Sequence, residues 1–225
     1  MLGREDAEIA KILASMKGVD LAQSPDFPPE VNERIPLTQA NAERNLAKVG
    51  PELKANAERL LGAALNARTA AQRVMWLNRA ADAMANGFGP HSACRDGCAH
   101  CCHIPVVLSL PEARAMAKAT GRALNEDAGR PMGAIGTTRS PAESIRSDFT
   151  SPCPFLEGKR CSAYAQRSAV CRAHINLDVD DLLCRPVPGA GVPVPYLNVN
   201  AIHMANVEMF GLGPYADIRE WFPPQ

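Results

Sequence analysis

Apolar residues recur at helical spacing through much of the first 90 positions. Ile9, Ile12, Leu13 and Met16 predict a helix over 5–17 that ends at Gly18. Pro25, Pro28, Pro29 and Pro36 then predict an extended connector over 19–37. Thr38 is placed to cap a helix running to about Val49, where Gly50-Pro51 stops it. One long helix is expected over 51–85, with a bend near Gly62. Leu53, Ala57, Leu60, Leu61, Ala64 and Leu65 begin its apolar stripe, and Val74, Met75, Leu77, Ala81 and Met84 continue it. Asn86-Gly87 and Gly89-Pro90 end it. Such a stripe packs a core and carries no chemistry by itself.

The pattern changes after residue 90. Ile104 to Leu110 reads as a short buried extended segment. Ser109 and Glu112 form a capping box around Pro111, which predicts a helix to about Thr120 that stops at Gly121. Residues 121–139 read as a loop, and Ser140, Pro141 and Glu143 as the start of a second short helix. A turn at Glu157-Gly158-Lys159 is expected to fold Cys153 and Cys161 into a hairpin. Residues 162–172 suggest a helical turn. Pro186, Pro188, Pro193 and Pro195 keep 185–196 extended, and a last helix covers about 199–210. Trp221 and Phe222 are expected to dock an amphipathic tail, and no internal repeat is found.

The chain has 225 residues, 46% of them hydrophobic, which is ordinary for a protein with a core. Lys+Arg and Asp+Glu are 24 each, so a broadly basic nucleic-acid surface is not expected. No apolar run is long enough for a membrane span. The opening Met1-Leu2-Gly3-Arg4-Glu5-Asp6 lacks the apolar core of a leader, which predicts a cytoplasmic, reducing setting.

The informative residues are the eight cysteines, all between Cys94 and Cys184. Cys94, Cys98, Cys101 and Cys102 place four thiols in nine residues, a density that metal ligation explains. In a helix, at about 100° per residue, all four would face one way. If Gly97 keeps the stretch irregular, Cys101 and Cys102 diverge and can serve two metals. Cys153, Cys161, Cys171 and Cys184 are too widely spaced to chelate locally, so the fold must gather them. Eight thiolates suit two four-coordinate sites, a cluster plus a mononuclear site, or one shared polynuclear site.

These residues resemble the zinc- or iron-chelating cysteine-cluster family, marked by a C-x₂₋₃-C-x₂-C-C run. Cys94, Cys98, Cys101 and Cys102 match the run. Cys153-Pro154-Phe155-Leu156, Cys161-Ser162-Ala163-Tyr164, Arg167 and Cys171-Arg172 match its second half. The resemblance covers about 90–185 and implies that the matched cysteines bind metal. Ser168 stands where the family usually has proline, and Cys184 matches least firmly. A flagellin lysine methylase is grouped with these proteins. Cys94-x₃-Cys98-x₂-Cys101 also has the spacing of radical S-adenosylmethionine enzymes, but the βα units that follow their motif are absent here. Cys98-Ala-His-Cys101 lacks the preceding strand of a thiol–disulfide redox pair.

With eight thiols at hand, His91, His100, His103, His174 and His203 read as surface, supporting or structural residues, His100 and His103 being the nearest alternatives as ligands. Arg167, Arg172 and Tyr164 are candidates to support thiolate charge, and Asp178-Val-Asp180-Asp181 reads as a solvated turn. The expected fold is mainly α. A helical part over 1–89 packs on an irregular, metal-stapled, cysteine-rich part over 90–185 with few short strands, and an extended and helical tail over 186–225 packs on the core. The expected function is metal binding, with zinc and an iron–sulfur cluster both open. The other class is an iron–sulfur enzyme doing redox or methylase-like group transfer at an open metal site. Metal ions are the expected partners.

Overall fold

The first described helices arise where proline sets the backbone dihedral of an opening turn. The computed structural model describes residues 23–131, 151–187 and 190–223. The helices expected over 5–17 and after Ser140 lie outside these residues. The expected extended connector is helical in its second half. Pro29 opens α1 (Pro29–Arg34), and Pro36 lies in the 3₁₀ turn Ile35–Leu37 that follows. Proline lacks an N–H, which costs nothing in a first turn, so its fixed φ favours helix there. Thr38 is the first residue of α2 (Thr38–Leu46) and does not cap it. Its hydroxyl donates back to the Ile35 carbonyl at 2.8 Å and is buried.

The long helix expected over 51–85 is two helices. α3 (Pro51–Leu65) ends before a short link, and α4 (Ala70–Phe88) starts at Thr69. Thr69 and Gln72 form a reciprocal capping box, a stop-and-start signal that outweighs the continuous apolar stripe. Gly62 lies within α3 and does not mark the break. α3 buries Ala57, Leu60 and Ala64, and α4 buries Val74, Leu77, Ala80 and Ala81. The two helices pack along each other.

β1 (Val107–Ser109) leads into α5 (Leu110–Thr120), with the Ser109–Glu112 cap and left-handed Gly121 at its two ends. β2 (Arg130–Pro131) and β1 flank β5 (Pro214–Asp217) in an antiparallel sheet, with Leu108 opposite Ala216. β3 (Leu156–Glu157) and β4 (Arg160–Cys161) form the expected hairpin, and Gly158 at φ +60° supplies its left-handed turn. α6 (Ala169–Ala173), α7 (Asn200–Phe210) and α8 (Ile218–Trp221) complete the described helices. Among the described residues no helix is long and apolar enough to cross a membrane.

The fold is mainly α, with few short strands. α3 and α4 meet the cysteine-bearing half directly: Ala64, Leu77 and Ala81 share a core with Ala169, Ala173, Ile202 and Met209. A second core joins Leu108, Met116, Cys153, Phe155, Ile218, Trp221 and Phe222. The tail docks as expected, and Trp221 Nε1 donates to the Leu108 carbonyl at 3.1 Å. The solvated turn expected over Asp178–Asp181 is instead a clamp. Asp178 is fully buried, accepting from Asn41 at 2.7 Å and Arg34 at 3.1 Å. Arg34 also grips both carboxylate oxygens of Asp180. α1 and α2 thereby fix the segment that leads to Cys184.

Candidate metal centre

The first cysteine run is irregular. Gly97 adopts φ +81°, which L side chains rarely take, and the chain enters a 3₁₀ turn over His100–His103. Cys101 and Cys102 nevertheless stay together, joined by a side-chain hydrogen bond. All eight cysteines are free thiols.

Two neighbouring groups form. Cys102 interacts electrostatically with Cys153, Cys161 and Cys171, and Cys101 with Cys102, Cys161 and Cys171. These five thiols, with Cys98, line one cavity of about 260 Å³. Cys94, Cys98 and Cys184 interact with one another in an outer group, and Cys101 also reaches Cys98. The hairpin delivers Cys153 and Cys161, and α6 delivers Cys171. The Cys153 amide donates to the Cys102 carbonyl at 2.7 Å, joining hairpin and first run. Arg219 anchors that same loop through the Cys102 and Ile104 carbonyls.

The sulfurs are surrounded by donors suited to negative charge. The amides of His100, Phe155 and Ala163, each two residues beyond a cysteine, favour the thiolates of Cys98, Cys153 and Cys161. Ser168 does so for Cys171, and the Tyr196 hydroxyl and Asn176 amide do so for Cys184. Asn176 donates its side chain to Cys184 Sγ at 3.2 Å and its backbone N–H to Cys94 Sγ at 3.5 Å. Arg167 lines the cavity and lowers the pKa of Cys101, Cys161 and Cys171. Such donors orient and stabilise metal-bound thiolates, so the donor set fits zinc or an iron–sulfur cluster.

Without metal, burial outweighs these donors. It pushes the Cys153 and Cys184 thiols up to about 12 and Cys171 up to about 11. Cys98 and Cys161 are also raised by burial. A hydrogen bond between Cys101 and Cys102 raises the first and lowers the second.

Arg167 supports the sulfurs, whereas Arg172 serves packing, reaching Asp82 at 2.6 Å and the Arg167 carbonyl. Tyr164 is exposed, with the Arg167 guanidinium 3.6 Å from its ring centroid. His174 lines the cavity, rests against Tyr196, and is held down at about 4 by burial. Its Nε2 is buried without a hydrogen-bond partner.

Asn176 and Tyr196 were not candidates in the sequence. The bridge between Asn176 and Tyr196 brings the proline-rich segment against the outer group. His100 and Asp181 were set aside in favour of the thiols. Among the described residues, however, the one trio of Cys, His, Asp or Glu ligand atoms all within 4.8 Å of one another is Cys98, His100 and Asp181.

No curated protein and no solved structure matches the chain. Residues 93–187 match the model of the CxxCxxCC family, described as a putative zinc- or iron-chelating domain. That span contains all eight cysteines, with three residues rather than two between Cys94 and Cys98. Over residues 93–187 the chain is similar to this family of zinc- or iron-chelating domains.

Proposed function

We propose that the chain binds metal at two adjoining places. Cys101, Cys102, Cys153, Cys161 and Cys171 hold an iron–sulfur core, and Cys94, Cys98 and Cys184 contribute to a separate ion. The observation that carries this reading is the spacing of the inner sulfurs around a cavity. A tetrahedral zinc with Zn–S bonds of about 2.3 Å draws its sulfurs to roughly 3.8 Å apart. Among the described residues no three cysteine sulfurs all lie within 4.8 Å of one another. An iron–sulfur core carries its own sulfide between the irons and keeps its thiolates further apart. Four of the five inner thiols suffice for such a core, and Cys101 stands at the join with the outer group.

A second reading, catalysis at an open metal site, is favoured by the rest of the cavity. Beyond the sulfurs its wall is apolar, formed by Ile104, Val106, Met116, Phe155, Val170 and Ile218. Arg95, Lys159, Arg160 and Arg167 also line it. A bound core would supply electron transfer or a Lewis-acidic iron. The residues of this chain would hold an apolar, anionic substrate beside it.

The test is anaerobic purification of the full chain, with iron, zinc and acid-labile sulfide measured beside the visible spectrum. Brown protein with iron and sulfide in similar amounts is expected, and Cys171→Ser should lose most of both. Colourless protein carrying only zinc would overturn the iron–sulfur reading. Protein that neither carries nor takes up metal would overturn metal binding.

A further inference from the structure

We infer that Cys98, His100 and Asp181 form a mixed-donor site for a borderline divalent cation, zinc foremost, at the outer edge of the thiol cluster. This deepens the metal-binding reading and rests on it through Cys98 alone. The ligand atoms of the three residues all lie within 4.8 Å of one another, closer than any trio of the cysteines. They come from segments about eighty residues apart in sequence, so the fold and not local spacing assembles them.

The supports around the trio are built for ligation. His100 Nε2 lies 3.2 Å from Asp181 Oδ2. Arg185 holds the other oxygen of Asp181 at 2.9 Å, and with His100 it keeps this carboxyl below its ordinary range. The His100 amide donates to Cys98. One sulfur, one imidazole and one carboxylate are donors that zinc and iron(II) both accept. Three protein ligands leave a tetrahedral ion one position short, for Cys94, Cys184 or water to fill. The His100 and Asp181 side chains are 28% and 38% exposed, so an ion held there meets solvent and can exchange. In the inner group Cys153 is buried and the other thiols are partly buried, so metal held there exchanges more slowly.

The experiment uses the full chain. A mild chelator removes exchangeable metal, and Zn²⁺ is then titrated back against a chromogenic chelator. The wild type should rebind one zinc. His100→Gln and Asp181→Asn should each weaken rebinding at least tenfold while chelator-resistant metal stays unchanged. Co²⁺ at the site should show weaker sulfur-to-metal charge transfer than a four-thiolate centre. Rebinding at wild-type affinity in both variants would overturn the inference and leave the hydrogen bond between His100 and Asp181 as a structural tie. Parallel loss of the chelator-resistant metal would overturn the separateness of the site. Absence of chelator-resistant metal in the wild type would instead count against the thiolate pocket, and the zinc titration would still report on the trio.

Discussion

Asn176 shows how one side chain couples chemistry to fold. It is almost fully buried, donates to Cys94 and Cys184, and accepts from the Asp178 amide at 2.8 Å. Its neutral side-chain amide supplies a donor to Cys184 without adding charge, whereas an aspartate there would repel that thiolate; the donor to Cys94 is the backbone N–H. Asn176→Ala should weaken metal binding by the outer group about tenfold or more, the usual cost of losing a residue that supports a ligand. Competition against a chromogenic chelator measures this, and unchanged affinity would remove Asn176 from the centre. The residue has no signature in the sequence, because asparagine at this position is equally at home in a turn.

The elements around the cysteines are tied by a buried carboxyl. Glu112 on α5 accepts from Asn206 on α7 at 2.6 Å and from Ser109 at 2.9 Å, and the Ala169 amide at the start of α6 also donates to it. α6 carries Cys171, so this carboxyl helps to position an inner thiol. Its Oε1 has no partner. Burial raises its pKa, so the folded chain holds this proton more tightly than the unfolded chain does. Its contribution to stability is greatest below the ordinary 4.5 and is lost as pH rises through the raised folded value. Glu112→Gln keeps the accepting oxygen and removes the charge. The variant should gain stability relative to wild type as pH rises across that window. Urea midpoints measured through the window check it, and a constant difference between the two proteins would show that Glu112 does not titrate there.

At the scale of the molecule, the helical half acts as a frame for the thiols. α4 packs against α6, and the Arg34–Asp178 clamp holds the segment before Cys184. When metal is absent, burial holds Cys153 and Cys184 at about 12 and Cys171 at about 11, so these three thiols are protonated at neutral pH. Each of them must therefore release a proton on loading. Metal affinity should fall roughly tenfold per pH unit for each proton released. Loading in weak buffer should acidify it, and a pH-independent affinity would contradict the protonation states given. Metal removal should also speed hydrogen exchange over 93–187 more than in α3 and α4, whose core of Ala64, Leu77 and Ala81 needs no ion.

Local physics made much of this legible in one dimension. The Ser109–Glu112 cap, the Gly158 turn and the helix over Asn200–Phe210 are each set by residues within a few positions of one another. The dense cysteine run announced metal for the same reason. The split into α3 and α4 was also written locally, in Thr69 and Gln72, but a continuous apolar stripe masked it. Partition of the cysteines was of another kind. Which thiol faces the cavity, that Asp178 is buried rather than solvated, and that Asp181 meets His100 depend on contacts across 80 to 144 residues of chain. Such contacts form only when packed helices carry distant segments together. Sequence therefore settled which donors are available, and tertiary structure settled which of them converge.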